Sequence, residues 1–86
     1  MDDFFEIIPI EHWEMPIRYP QLKELLKYNE NIDLLETQGK FISIISIKTQ
    51  NGDMIAEDDD WIIRDIKNNI YPIKTILIQK QLKNFK

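Results

Sequence analysis

The stretch FISIISIKTQNGDMIAE, Phe41 to Glu57, restricts what this chain can fold into more than any other. Phe41–Thr49 is a run of β-branched and aromatic residues of strand length, and Met54–Glu57 is a second, shorter apolar-polar stretch after Gln50-Asn51-Gly52-Asp53. Asn-Gly is the favoured pair for a two-residue type I′ turn, because both central positions need positive φ. Strands joined by so short a turn have to lie side by side and antiparallel. The expectation is a hairpin, and with it an antiparallel sheet as the organising element.

Other segments extend that sheet. Trp61–Asp65 and Ile70–Ile73 flank Lys67-Asn68-Asn69, where Asn-Asn supplies left-handed turn conformations, so a second hairpin is expected. Phe4–Ile10 reads as a strand that Pro9 confines to an edge or terminates. Pro16 and Pro20 punctuate the loop after it. Pro20 suits the first turn of a helix running to about Tyr28, with Leu22, Leu25 and Leu26 on one face and Lys23, Glu24 and Lys27 outside. Asn29-Glu30-Asn31 stops that helix, Ile32–Leu35 reads as a short strand, and Gly39-Lys40 turns the chain into Phe41. Thr75–Phe85 fits a last edge strand, with a short helix as the alternative. The plan is α+β: an N-terminal strand, one helix, then an antiparallel meander with the helix packed on one face.

Size sets further limits. A chain of 86 residues has room for one domain spanning 1–86, burying roughly 60–65% of its unfolded surface, so stability is modest and a homo-oligomer is expected. The hydrophobic fraction of 43% with 30% charged residues belongs to a globular chain rather than a disordered one. With no cysteine, a disulfide framework, a thiolate zinc site and a cysteine nucleophile are all excluded. The opening MDDFFEII lacks a basic n-region and no apolar run approaches the roughly 20 residues of a membrane span, so a cytoplasmic protein without membrane contact is expected.

From Phe41 to Lys74 the chain also resembles a widespread family of small phage and prophage proteins of unassigned function. The resemblance rests on Ile47-Lys48-Thr49 with Gly52, on Asp60 with Trp61-Ile62-Ile63-Arg64, and on Lys67 and Tyr71-Pro72 before Lys74. In that family a Pro-Gly turn precedes the aspartate and a Gly-Glu turn precedes Tyr-Pro-Cys-Lys-Pro-Asp. Here Asp58-Asp59, Asn68-Asn69, Ile73 and Thr75-Ile76 stand at the positions that differ. The resemblance implies a compact viral α+β domain in the host cell cytoplasm, and it brings no catalytic residues.

The residues offer little for catalysis. Glu57-Asp58-Asp59-Asp60 supplies oxygen ligands, but an EF-hand loop needs alternating acids, a glycine at the sixth position and a glutamate at the twelfth. Neighbouring strand residues point to opposite faces, so four adjacent acids do not converge on one ion, and a solvated corner is the simpler reading. His12 is the single histidine, expected half-exposed beside Trp13; Ser43 and Ser46 lie inside the apolar strand and are expected to pack or bond locally. Two isolated glycines build no phosphate loop. No catalytic residue, metal site or cofactor is assigned, and an enzyme is not expected.

Charge is unevenly spread. Residues 1–36 carry nine acids and three bases, 37–60 five and two, and 61–86 one and six, or −6, −3 and +5 in a total of −4. Arg64, Lys67, Lys74, Lys80, Lys83 and Lys86 are interleaved with Trp61, Tyr71 and Phe85, cations for phosphate beside aromatic planes for bases. Trp61, Arg64, Lys67, Tyr71 and Lys74 are therefore the candidate ligand-binding residues, although lysines also protect strand edges and hairpin aromatics also serve as cross-strand partners. The acidic remainder disfavours general binding to nucleic acid. Two functions fit: a non-catalytic phage protein that sequesters a small host nucleotide signal in a pocket between subunits, or an inhibitor that binds a host protein through its acidic surface or a strand edge.

Overall fold

The computed structural model describes residues 9–74, an α+β arrangement of seven strands and one helix. Strands β3 (Ile32–Gln38), β4 (Phe41–Thr49) and β5 (Gly52–Ala56) form an antiparallel meander, as their spacing predicts. Strands β6 (Asp60–Arg64) and β7 (Ile70–Lys74) form the second hairpin. These hairpins belong to two sheets rather than one. The first has the order β1-β6-β7, and the second has β4 at its centre, with β3 on one side and β2 and β5 on the other.

The two strands that complete the sheets lie where proline punctuation suggests a loop. β1 (Glu11–Glu14) pairs antiparallel with β6, and β2 (Ile17–Arg18) pairs antiparallel with β4. Their signal is alternation across the proline: Trp13, Met15 and Ile17 are buried while His12, Glu14, Pro16 and Arg18 are exposed. The Met15–Pro16 peptide is cis, at the corner where the chain leaves one sheet for the other. Of the expected strand Phe4–Ile10, Pro9 and Ile10 precede β1 outside any strand; residues 4–8 and the whole of Thr75–Phe85 lie outside the described residues.

Helix α1 (Tyr19–Leu26) starts with Pro20 in its first turn, and the Gln21 side chain accepts the Arg18 N–H at 2.8 Å. Leu25 is fully buried and Leu22 packs against the core, whereas Leu26 is exposed. The Trp13 indole N–H donates to Glu24 at 2.9 Å and ties the helix to β1. One apolar cluster joins both sheets, with Trp13, Ile62 and Ile70 from the first, Ile17, Ile42, Ile45, Ile47 and Ala56 from the second, and Leu25 from the helix.

The β4–β5 turn differs from the expected type I′. Gly52 carries a positive φ of +105°, but Asn51 does not take positive φ, so one left-handed residue does what type I′ assigns to two. Thr49 stabilises the alternative: its hydroxyl donates to the Gly52 carbonyl at 2.8 Å and accepts the Asn51 N–H at 3.1 Å.

Candidate ligand cleft

The five residues singled out for ligand binding do not gather in one place. Trp61 and Arg64 are three apart on β6, so strand alternation sends them to opposite faces. Trp61 stacks on His12, with ring centroids 4.2 Å apart and planes 16° from parallel. Arg64 is fully engaged. Its guanidinium binds Glu11 at 3.1 Å, donates to the Asn68 side chain at 2.7 Å, and lies 4.8 Å from the centre of the Tyr28 ring. Lys74 is paired with Asp60 at 3.1 Å and with Glu57 at 3.8 Å, four residues along the hairpin from Arg64. Lys67 is exposed in the β6–β7 turn.

Tyr71 does reach a cavity. A cleft of about 400 Å³ opens where three connections meet: the exit from α1, the β4–β5 turn and the β6–β7 turn. Ligand pockets occupy roughly 300–1,000 Å³, so the space suits one small molecule. Tyr28 and Tyr71 supply aromatic surface, with Met54 and Ile70 as aliphatic wall. Burial, with the Asp65 carboxylate adding to it, pushes the Tyr71 hydroxyl above its usual range, so at neutral pH it is a proton-bearing donor.

Local chemistry fixes the frame of this cleft. Asn29 donates to the Lys48 carbonyl and accepts the Asn31 N–H, both at 2.8 Å, which pins the helix exit to β4. Asp65 accepts the N–H groups of Lys67 and Asn69 at 2.9 Å each, an Asx-type turn that holds the β6–β7 connection. Asn68 adopts positive φ (+66°) within it. Groups spent in this way shape the walls. Gln50, Asn51 and Asn69 also line the cleft, and among the described residues their side chains make no hydrogen bond within the fold.

Of the cleft residues, only Tyr71 belongs to the set expected from sequence. The others were readable as hairpin ends that carry more carboxamides than their turns require, but only contact between the two ends makes them one lining.

The acidic run resolves differently. Asp60 is buried, accepting the Glu57 N–H at 3.0 Å and facing Lys74, while Glu57, Asp58 and Asp59 are exposed at the corner between β5 and β6. Among the described residues, no group of three or more His, Asp or Glu side chains is placed to hold a metal ion. His12 contacts Glu14 at 3.3 Å, and the Ser43 hydroxyl donates to the Glu36 carbonyl at the same distance. No helix among the described residues is long and apolar enough to cross a membrane. Compared with protein-family models, curated proteins and solved structures, the chain matches none.

Proposed function

We propose that this chain is a non-catalytic phage protein of the host cytoplasm that binds and sequesters a small nucleotide-type signal used by its host. The observation that carries the reading is the cleft itself: two tyrosines, carboxamides whose side chains make no hydrogen bond among the described residues, and Lys48 converge on a space of about 400 Å³. Aromatic rings stack on bases, and carboxamides pair with base edges. In this reading a second copy of the chain closes the cleft in a homo-oligomer, over the exposed rim residues Lys48, Gln50, Asn51 and Asn69.

The choice of a phage protein rests on the resemblance over Phe41–Lys74. Two turn residues are in keeping with it: Asp59 and Asn68 stand where the resembled sequences carry glycine, and both take positive φ, +72° and +66°.

A second reading, inhibition of a host protein, is favoured by one observation. β3 is an edge strand among the described residues, with no lysine or proline to blunt it and with Leu34 and Leu35 exposed at 40% and 55%. The two readings separate in one experiment, a nucleotide-panel thermal shift run beside absolute mass in solution. The first predicts an oligomer whose melting temperature rises with a particular cyclic or ADP-ribose-type nucleotide. If the panel leaves melting unchanged while a host-lysate pulldown recovers one stoichiometric protein, the sequestering reading fails.

A further inference from the structure

The charges lining the cleft decide what kind of nucleotide it can take. Among the described residues, Lys48 and Asp65 are the only charged ones that line it, one of each sign, so this lining does not favour a polyanion. Of the cations that sequence reasoning assigned to phosphate, Arg64 is spent on Glu11 and Asn68 and Lys74 on Asp60 and Glu57, Lys67 is exposed in the β6–β7 turn and does not line the cleft, and Lys80, Lys83 and Lys86 lie outside the described residues. Gln50, Asn51 and Asn69 present hydrogen-bond donors and acceptors in equal measure. That set matches the edge of a heterocyclic base far better than a chain of phosphates. We infer that the cleft takes a nucleobase or nucleoside with at most one phosphate, its base beside Tyr71, its edge read by Asn51 and Asn69, and any single phosphate against Lys48.

This specificity rests on the nucleotide-binding reading above and narrows it to ligands with a single phosphate or none, which leaves out the diphosphate of ADP-ribose-type nucleotides. Titration calorimetry of the full chain with the four ribonucleosides and their 5′-mono-, di- and triphosphates, at low and high salt, tests it. The expected result is a preference of about tenfold or more for one base. The second and third phosphates are expected to change affinity by less than about threefold, with a shallow salt dependence. Asn51→Ala and Asn69→Ala each reduce the base preference about tenfold. Lys48→Gln removes only the gain from the first phosphate. All three side chains are exposed, and melting curves of the unliganded variants verify that the fold is kept.

Affinity that climbs steeply with each added phosphate and collapses in high salt overturns the inference while leaving the nucleotide reading in place. Indifference to the base does the same. If no nucleoside or nucleotide in the series binds, the inference falls, and the cyclic and ADP-ribose-type nucleotides of the thermal-shift panel decide the nucleotide reading separately.

Discussion

Asp60 is the member of the acidic run that the fold draws inward, and its carboxylate does two jobs there. One oxygen caps the Glu57 N–H and the other meets Lys74, while the Asp60 carbonyl accepts the Met15 N–H at 2.9 Å. The side chain thus holds the corner by which β5 hands over to β6. Asp60→Ala strands the Glu57 N–H and takes away the nearer of Lys74's two carboxylates, which costs about 2 kcal/mol. Asp60→Asn keeps an acceptor and costs about 1 kcal/mol. Urea denaturation with the exposed Asp58→Ala as control measures this; equal losses for Asp58→Ala and Asp60→Ala remove Asp60 from the role. Nothing in four consecutive acids says which one turns inward, since that depends on where β6 meets β7 and on which residue faces Lys74.

At the scale of elements, the hairpins were legible and the short strands were not. The boundaries of β4 match those read from Phe41–Thr49, because a long β-branched run ending in Asn-Gly leaves little choice of register. The fine structure of the turn was not legible, because Thr49 competes for the Asn51 N–H and shifts the left-handed conformation onto Gly52 alone. A Cβ at Gly52 would meet nothing within 4 Å, so Gly52→Ala tests backbone conformation without a clash. The expected loss is about 1–2 kcal/mol by chemical denaturation. A neutral result shows that the turn relaxes to a conformation alanine accepts. β1 and β2 escaped notice because prolines read as breakers, whereas Pro16 sits between the two strands rather than inside either.

For the whole molecule, segregated charge along the sequence becomes pairing between distant segments. Arg64 reaches back to Glu11 and Lys74 to Asp60 and Glu57, so much of the basic character of β6 and β7 is consumed inside the fold. This has a consequence for stability at high pH. Hydrogen bonding to Asp60 and its charge, with Glu57 adding to them against a smaller opposing effect of desolvation, raise the Lys74 ammonium above its ordinary 10.5. Burial and then Asp65 raise the Tyr71 hydroxyl above its ordinary 10.0. Both groups hold their protons more tightly folded than unfolded, so their contributions are complete below the unfolded values and vanish as pH rises through the folded ones. The urea midpoint should therefore fall as pH rises above about 10, and Tyr71→Phe should make that decline shallower. A midpoint that does not decline through about pH 11.5 contradicts the assignment.

By itself the sequence determined the features that depend on neighbours along the chain: two hairpins, the helix opened by Pro20, the turns at Gly39 and Asn68, and an uneven distribution of charge. Strand pairing across a tight turn closes a short loop, and the residues on either side carry the whole instruction. Tertiary structure alone decided which sheet each hairpin joins, which cations are spent in ion pairs, and that Tyr28, Lys48, Asn51, Asn69 and Tyr71 share one cleft. Those outcomes depend on contacts between segments tens of residues apart, made when Trp13, Leu25, Ile45 and Ile62 bury their surfaces together, and no local pattern encodes them.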